Sequence, residues 1–174
     1  MKNDTSNSDP TGDPSAQNNS ASDRANTFPW PPVLFVAALV AAWAMNLALP
    51  ITWPGVDDGA ARVIGISFGV AGIILVAWAI AALIGGGTTV MPDKASTALI
   101  TSGPFGYFRN PIYLGEVLIL LAAAELTKNV WYIVAAASFA VLVTMLQILT
   151  EERHLEARFG EAYRAYKART RRWI

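Results

Sequence analysis

The sequence predicts an all-α integral membrane protein of about four transmembrane helices with an amphipathic helix at its C-terminal end. Three observations support this fold class. Hydrophobic residues make up 53% of the chain and charged residues only 15%, a balance that differs from soluble proteins. The apolar residues form four runs separated by turn-rich segments. The densest group of charged residues follows the last run, where they alternate with apolar residues at helical spacing.

Composition also limits the chemistry. The chain has no cysteine, which excludes disulfides, thiolate metal sites and a cysteine nucleophile. Its one histidine, His154, cannot form a metal cluster alone, so we expect no metal site. The formal net charge is zero, but the charges are unevenly distributed along the chain.

The N-terminal segment is polar and differs from the rest. Residues 1–28 are rich in Asn, Ser, Asp, Thr and Pro, and such a composition buries too little apolar surface to offset the entropy of ordering. We predict a disordered tail, followed by one membrane domain over residues 29–174. The tail lacks the basic stretch and apolar core of a signal peptide.

The first two apolar runs predict spans at 33–49 and 63–84, joined by a turn-forming acidic segment at 51–61. The second run carries Gly65 and Gly69 at a spacing that allows close approach of a neighbouring helix. A glycine-rich face towards lipid is the alternative.

The second half of the membrane domain is less regular. Residues 85–110 read as an ordered loop rich in Gly and Pro. A short apolar run at 112–126 predicts a third span, with Glu116 inside it, and the run at 130–149 predicts a fourth. Residues 151–170 then form the predicted cytoplasmic amphipathic helix.

Basic residues indicate the orientation. With four spans, both termini and the 85–110 loop lie on one side of the membrane. Only Arg62 and Lys128 lie on the other side. The positive-inside rule therefore predicts that the first side is cytoplasmic; its basic residues are Lys2, Arg24, Lys94, Arg109, Arg153, Arg158, Arg164, Lys167, Arg169, Arg171 and Arg172.

Two polar segments flank the third and fourth spans. The first, residues 103–115, reads Gly-Pro-Phe-Gly-Tyr-Phe-Arg-Asn-Pro-Ile-Tyr-Leu-Gly. The second, residues 151–166, begins Glu-Glu-Arg-His-Leu. An antiparallel hairpin of these spans would bring Arg109 and Tyr113 close to Glu151 and Glu152. The alternative is that these residues have no catalytic role: the arginine reaches to lipid headgroups, the tyrosine lies at the membrane interface and the two glutamates are solvated.

Together the two segments resemble the signature of the isoprenylcysteine carboxyl methyltransferase and phospholipid methyltransferase superfamily, in its prokaryotic branch. That signature has Arg-His-Pro-x-Tyr-x-Gly before a helix pair and Glu-Glu-x-x-Leu after it. The resemblance covers roughly residues 87–174, including Gly87-Thr88-Thr89-Val90 and Phe159-Gly160. Asn110 stands at the family's histidine position, which puts in doubt any role that needs an ionisable imidazole.

The resemblance implies S-adenosylmethionine as methyl donor and a lipid-like or prenylated acceptor that enters from the bilayer. It implies catalytic roles for Arg109 and Glu152, with Arg109 binding a carboxylate of the cofactor or the acceptor. The implied cofactor-binding residues are Arg109, Asn110, Pro111, Tyr113, Gly115, Glu151 and Glu152. The implied location is a bacterial inner membrane with a cytoplasmic active site, and no nucleic-acid partner is expected.

The resemblance places carboxyl O-methylation of the isoprenylcysteine type first, with two alternatives. Carboxyl O-methylation of the isoprenylcysteine type needs no base, because a carboxylate acceptor is already ionised at neutral pH. Phospholipid N-methylation needs a base, because an amine must lose its proton before it attacks. A non-enzymatic scaffold or transporter that kept the fold is the third. Glu116 either lines an acceptor tunnel or faces the aqueous interface.

Overall fold

The computed structural model describes residues 30–52, 59–87 and 98–174. The predicted disordered tail at 1–28 lies outside these residues, as do parts of the 51–61 turn and of the 85–110 loop. The helices are α1 (Trp30–Ala48), α2 (Gly59–Gly85), α3 (Pro111–Thr127), α4 (Trp131–Val143), α5 (Leu149–Phe159) and α6 (Glu161–Arg169). A 3₁₀ turn spans Gly103–Gly106, and a π-helical turn, Thr144–Ile148, joins α4 to α5.

Three stretches are long and apolar enough to cross a membrane: Pro31–Ala48, Gly59–Gly85 and the continuous Trp131–Phe159. They correspond to the predicted first, second and fourth spans. The predicted third span is helix α3, with 17 residues, which packs along α2 and against α4. A crossing by α3, and with it the count of four, stays a prediction.

Large apolar side chains on the outside of the helices are exposed. Examples are Val36 on α1, Ile73 on α2 and Val141 on α4. Exposed apolar surface on this scale is unfavourable in water and favourable against lipid. The chain is therefore a membrane protein whose outer helix faces contact the bilayer.

Glycines bring α2 and α3 into backbone contact. A Cβ atom added at Gly72 would lie 2.6 Å from the Gly115 carbonyl oxygen, and one added at Gly115 would lie 2.7 Å from the Gly72 carbonyl oxygen. Gly65 faces the Glu125 side chain in the same interface. The close-approach interpretation of these glycines is confirmed, because small residues allow tight packing where both helices are apolar.

The core lies between α3, α4 and α1. Leu120 on α3 packs with Phe139 and Val143 on α4, and all three side chains are at most 1% exposed. Phe35 of α1 meets Phe139 edge-on, with ring centroids 6.0 Å apart.

The two ends of the bundle differ in chemistry. At one end, the Trp131 indole Nε1 donates to the Leu49 carbonyl at 2.8 Å, which ties the end of α1 to the start of α4. At the other end, here called the site end, lie the 3₁₀ turn Gly103–Gly106, the start of α3, and helices α5 and α6. Most of the polar side chains predicted to be functional lie there.

The predicted single helix over 151–170 is interrupted at Gly160. This residue has φ 52° and ψ −123°, a conformation that glycine adopts readily and other residues rarely do. The chain therefore turns between α5 and α6. The sequence pattern did not predict this turn, because the apolar spacing continues on both sides of it.

Candidate functional site

The Gly103–Gly106 turn carries the first motif to the site end. Gly103 has φ 61°, and a Cβ there would lie 3.4 Å from the indole nitrogen of Trp78 on α2. The hydroxyl of Tyr166, on α6, donates to the Phe105 carbonyl at 2.8 Å. The turn is thus held between α2 and α6, which positions the residues that follow it.

Asn110 and Pro111 start helix α3. A residue before proline is disfavoured in the α region, and Asn110 has φ −126° and ψ 57°. Pro111 is buried at the first helical position, where its missing N–H costs no hydrogen bond. The Asn110 amide Nδ2 donates to the Arg172 carbonyl at 3.0 Å, so the amide contacts the end of the chain.

Arg109 is the centre of a polar cluster. Its Nε lies 3.3 Å from Oε1 of Glu152, and its Nη1 donates to the carbonyls of Lys167 and Thr170. Those carbonyls belong to the last turn of α6, where a cation is favourable. Arg109 therefore binds an internal carboxylate and caps a helix at the same time.

Glu152 also binds a second arginine, Arg172. Arg172 Nε lies 2.9 Å from Glu152 Oε1, and Arg172 Nη2 lies 2.7 Å from Oε2, a bidentate geometry. The Glu152 side chain is 8% exposed and that of Arg109 10%. The hydrogen bond and charge of Glu152 raise the pKa of Arg172, so Arg172 stays charged beside the carboxylate.

The last five residues, Thr170–Ile174, here called the C-terminal strap, bind the first motif, a contact that the sequence did not predict. The Arg109 amide donates to the Arg171 carbonyl at 2.8 Å, and the Arg171 amide donates to the Tyr107 carbonyl at 3.3 Å. Trp173 packs against the core cluster. Nothing in the sequence separates Arg172 from the other basic residues near it, so no signal pointed to its contact with Glu152.

A second polar group lies next to the first, around Glu151. The Tyr113 hydroxyl and the Gln147 amide both hydrogen-bond the Glu151 carboxylate. Gln147 lies in the π-helical turn and is 3% exposed. Such turns occur often at functional sites because they redirect a side chain. Gln147 was not among the predicted site residues.

Two polar atoms near this group have no partner among the described residues. Glu116 Oε2 and His154 Nε2 are shielded from solvent and make no hydrogen bond within residues 30–52, 59–87 and 98–174. Buried polar atoms are normally satisfied, so each exception requires an explanation. One oxygen of Glu116 is shielded although the residue as a whole is partly exposed, so its place at the aqueous interface stays a prediction.

Six of the seven predicted site residues thus fall into three sets, and the seventh, Pro111, starts α3. Arg109, Asn110 and Glu152 contact one another or the C-terminal strap. Tyr113 and Glu151 contact each other. Gly115 contacts Gly72 and Val76 on α2, so its place in the structure is a helix interface.

The donor set is compatible with S-adenosylmethionine. That molecule carries ammonium, carboxylate and hydroxyl groups. His154 Nε2 has no partner among the described residues, whereas Glu151 and Glu152 would have to exchange part of their present contacts to accept hydrogen bonds from it. In the described part of the chain, no cluster of three or more His, Cys, Asp or Glu residues has a metal-binding arrangement.

Comparisons with known proteins agree with these observations. The sequence model of the phospholipid methyltransferase family matches residues 60–162, which is more than half of the chain and includes both motifs. An uncharacterized protein from Haemophilus influenzae is 38% identical over 63 residues, which is 36% of this chain and 100% of that protein. No solved structure matches the chain.

Proposed function

Because the chain belongs to the phospholipid methyltransferase family, we propose that it transfers a methyl group from S-adenosylmethionine to a lipid acceptor. The observation that carries this proposal is the meeting of two distant motifs at the site end. Arg109 and Glu152 are 43 residues apart and form an ion pair, and Tyr113 reaches Glu151 beside them.

The methyl donor is proposed to bind among these residues. When bound, S-adenosylmethionine supplies an electrophilic methyl group on a sulfonium sulfur. Glu151 and Glu152 would hold its hydroxyl or ammonium groups, and His154 would use its free Nε2 as a hydrogen-bonding partner. Tyr113 would orient Glu151, to which its hydroxyl is already bonded. Asn110 would hold the C-terminal strap through its hydrogen bond to the Arg172 carbonyl. Pro111 would set the start of α3.

The charge around the site favours an amine acceptor. Arg109, the residue proposed to bind a carboxylate, is already paired with Glu152 and two carbonyls. Glu116 and Glu151 are the acidic groups near Tyr113, and a carboxyl group can accept a hydrogen bond from an ammonium headgroup, which a carboxylate acceptor cannot donate. The family match points the same way. We therefore prefer phospholipid N-methylation.

Carboxyl O-methylation of the isoprenylcysteine type is the second candidate. It is favoured by the Glu151-Glu152-x-x-Leu155 sequence, which resembles that branch of the superfamily, and by the two arginines beside Glu152. For this reaction, one of these arginines would have to exchange its contact with Glu152 for one with the prenylated acceptor.

The site end is proposed to face the cytoplasm, in a bacterial inner membrane. It carries most of the described basic residues, including Arg158 and Arg169, and the positive-inside rule assigns such an end to that side. A site at this interface would receive a water-soluble methyl donor from the cytoplasm and a lipid acceptor from the bilayer.

A methyl-transfer assay with two acceptors tests the function. Protein in nanodiscs is incubated with S-adenosylmethionine labelled in its methyl group, together with either phosphatidylethanolamine or an S-prenylated cysteine with a free carboxylate. We expect label in the ethanolamine headgroup, less label with Glu151→Gln, and no change with the exposed control Arg169→Gln. Label released by base as methanol would identify the carboxylate acceptor. A folded protein that neither binds S-adenosylhomocysteine nor transfers label would be a scaffold or transporter.

A further inference from the structure

Glu116 is a carboxylate without a counter-charge. It lies in the second turn of α3, and its Oε2 is shielded from solvent with no hydrogen-bond partner among the described residues. The other carboxylates that line this hairpin are satisfied. Glu152 binds two arginines, and Glu125, on the same helix as Glu116, pairs with Lys128. Glu151 also has no cationic partner, but its carboxylate accepts hydrogen bonds from Tyr113 and Gln147. Glu116 differs because one of its oxygens has no hydrogen-bond partner among the described residues.

An unpaired carboxylate in an apolar helix is expensive to keep. A shielded polar side chain without a partner is costly even when it is neutral, and in a membrane helix it usually serves a function. Helix α3 would lose nothing in helical propensity if leucine occupied this position. The cost is offset if a cation from outside the protein supplies the missing partner.

The position of Glu116 would allow a cation from outside the protein to bind there. It lies one helical turn after Tyr113, whose hydroxyl bonds Glu151, and both residues belong to the end of α3 that begins at the Asn110-Pro111 motif. Among the described ion pairs, none involves Glu116. Tyr113, which contacts Glu151 of the proposed methyl-donor site, and Glu116 thus lie on neighbouring turns of one helix.

We propose that Glu116 binds the ammonium headgroup of the lipid acceptor and takes its proton. This inference rests on the proposed amine methyltransferase function. Glu116 removes one proton from R–NH₃⁺ and becomes a carboxylic acid. The freed nitrogen lone pair forms the N–C bond as the C–S bond breaks and its electron pair returns to sulfur. Glu116 then releases its proton to cytoplasmic water, and the product is the methylated ammonium lipid.

The surrounding charges leave this role to Glu116. Of the elements packed against α3, helix α2 carries Arg62 near the opposite end of the bundle, and α4 carries Tyr132 there. Helix α5 brings Glu151 and Glu152, which already bond Tyr113 and the two arginines. Tyr113 is the titratable group electrostatically coupled to Glu116.

Three variants test this role: Glu116→Gln, Glu116→Asp and, as a matched control on the same helix, Glu125→Gln. The first readout is independent of turnover. A short-chain phosphatidylethanolamine is titrated calorimetrically into protein saturated with S-adenosylhomocysteine. We expect about tenfold weaker lipid binding for Glu116→Gln, partial recovery for Glu116→Asp, and unchanged binding for Glu125→Gln. Binding of S-adenosylhomocysteine stays the same in all three.

The second readout is the rate of methyl transfer. Loss of a general base typically lowers the rate by about 10²- to 10⁴-fold, so kcat of Glu116→Gln should fall by at least about 100-fold at pH 7. Its rate should recover towards pH 9, because a growing fraction of the headgroup amine is then neutral in solution. Glu125→Gln should keep the parent pH profile.

Two results would overturn the inference. Glu116→Gln with parent lipid affinity and parent kcat would show that the carboxylate takes no part. Equal losses of S-adenosylhomocysteine affinity and unfolding temperature in the Gln and Asp variants would show a structural role instead. Failure of the parent protein to bind S-adenosylhomocysteine is a different result, since it would remove the proposed function itself.

Discussion

The guanidinium of Arg109 lies against the carboxylate of Glu152, with Nε 3.3 Å from Oε1, although the two residues are 43 positions apart. The same guanidinium bonds the carbonyls at the end of α6. One side chain thus joins the start of α3 to α5 and α6. The residues that resemble a methyltransferase motif are also the residues that hold the C-terminal part of the protein in place.

Arg109→Ala should destabilise the protein. Removal of the guanidinium takes the donor from the Lys167 and Thr170 carbonyls, and a buried acceptor left unsatisfied costs about 1 to 3 kcal/mol. Glu152 keeps Arg172 as its partner, so its charge stays compensated. Arg109→Lys should also lose stability, because an ammonium cannot reproduce the forked contacts to Glu152 and two carbonyls. Thermal unfolding in detergent measures the effect. The exposed control Arg169→Ala should unfold like the parent, and an unchanged Arg109→Ala would contradict the linking role.

The hydroxyl of Tyr166 predicts a pH dependence at high pH. Burial raises the pKa of Tyr166 to about 12, above the value of about 10 expected when unfolded. The neutral hydroxyl donates to the Phe105 carbonyl. Its contribution to stability is therefore complete below pH 10 and is lost as the pH rises towards 12. Burial also raises the pKa of Tyr163, which adds to the same trend.

The Tyr166→Phe variant separates the contribution of Tyr166 to this pH dependence from that of Tyr163. The variant should unfold at a lower temperature at pH 8, because an unmade hydrogen bond to a buried carbonyl costs about 1 to 3 kcal/mol. Its unfolding temperature should also fall less steeply between pH 10 and 12 than that of the parent. Equal slopes in that range would show that Tyr166 does not titrate with unfolding.

Gly72→Ala should disrupt the contact between α2 and α3. The added Cβ would lie 2.6 Å from the Gly115 carbonyl oxygen, and backbone at that distance cannot move without separating the helices. Gly59→Ala is the matched control on the same helix, because no atom lies within 4 Å of its Cβ. Thermal unfolding of both variants decides the point. Equal stability would contradict the glycine contact.

The sequence predicts features that depend on residues close together in the chain better than contacts between distant residues. Apolar runs predict the helices because the hydrophobicity of each run alone decides whether it can lie in lipid. The short connection between α3 and α4 predicts that Arg109 approaches Glu152. The contact of Arg172 with Glu152 depends on the turn at Gly160, which the helical spacing conceals. The partner of Arg109 was expected to be a ligand carboxylate, and the structure supplies an internal one.

The crossing by α3 can be tested directly because the chain has no cysteine. Ser102 and Thr127 are exposed residues on either side of α3. Ser102→Cys should react with an impermeant thiol reagent only in inside-out vesicles, and Thr127→Cys only in right-side-out vesicles. Labelling of both from one side would mean that α3 does not cross and that the count of four is wrong.

The measurement closest to the central claim is calorimetric titration of the detergent-purified protein with S-adenosylhomocysteine. The account predicts binding in the micromolar range, weakened by Glu151→Gln and by Glu152→Gln and unchanged by the exposed control Arg169→Gln. Unfolding temperatures recorded on the same samples separate loss of binding from loss of fold. A folded parent protein that does not bind S-adenosylhomocysteine would contradict the proposed methyltransferase function.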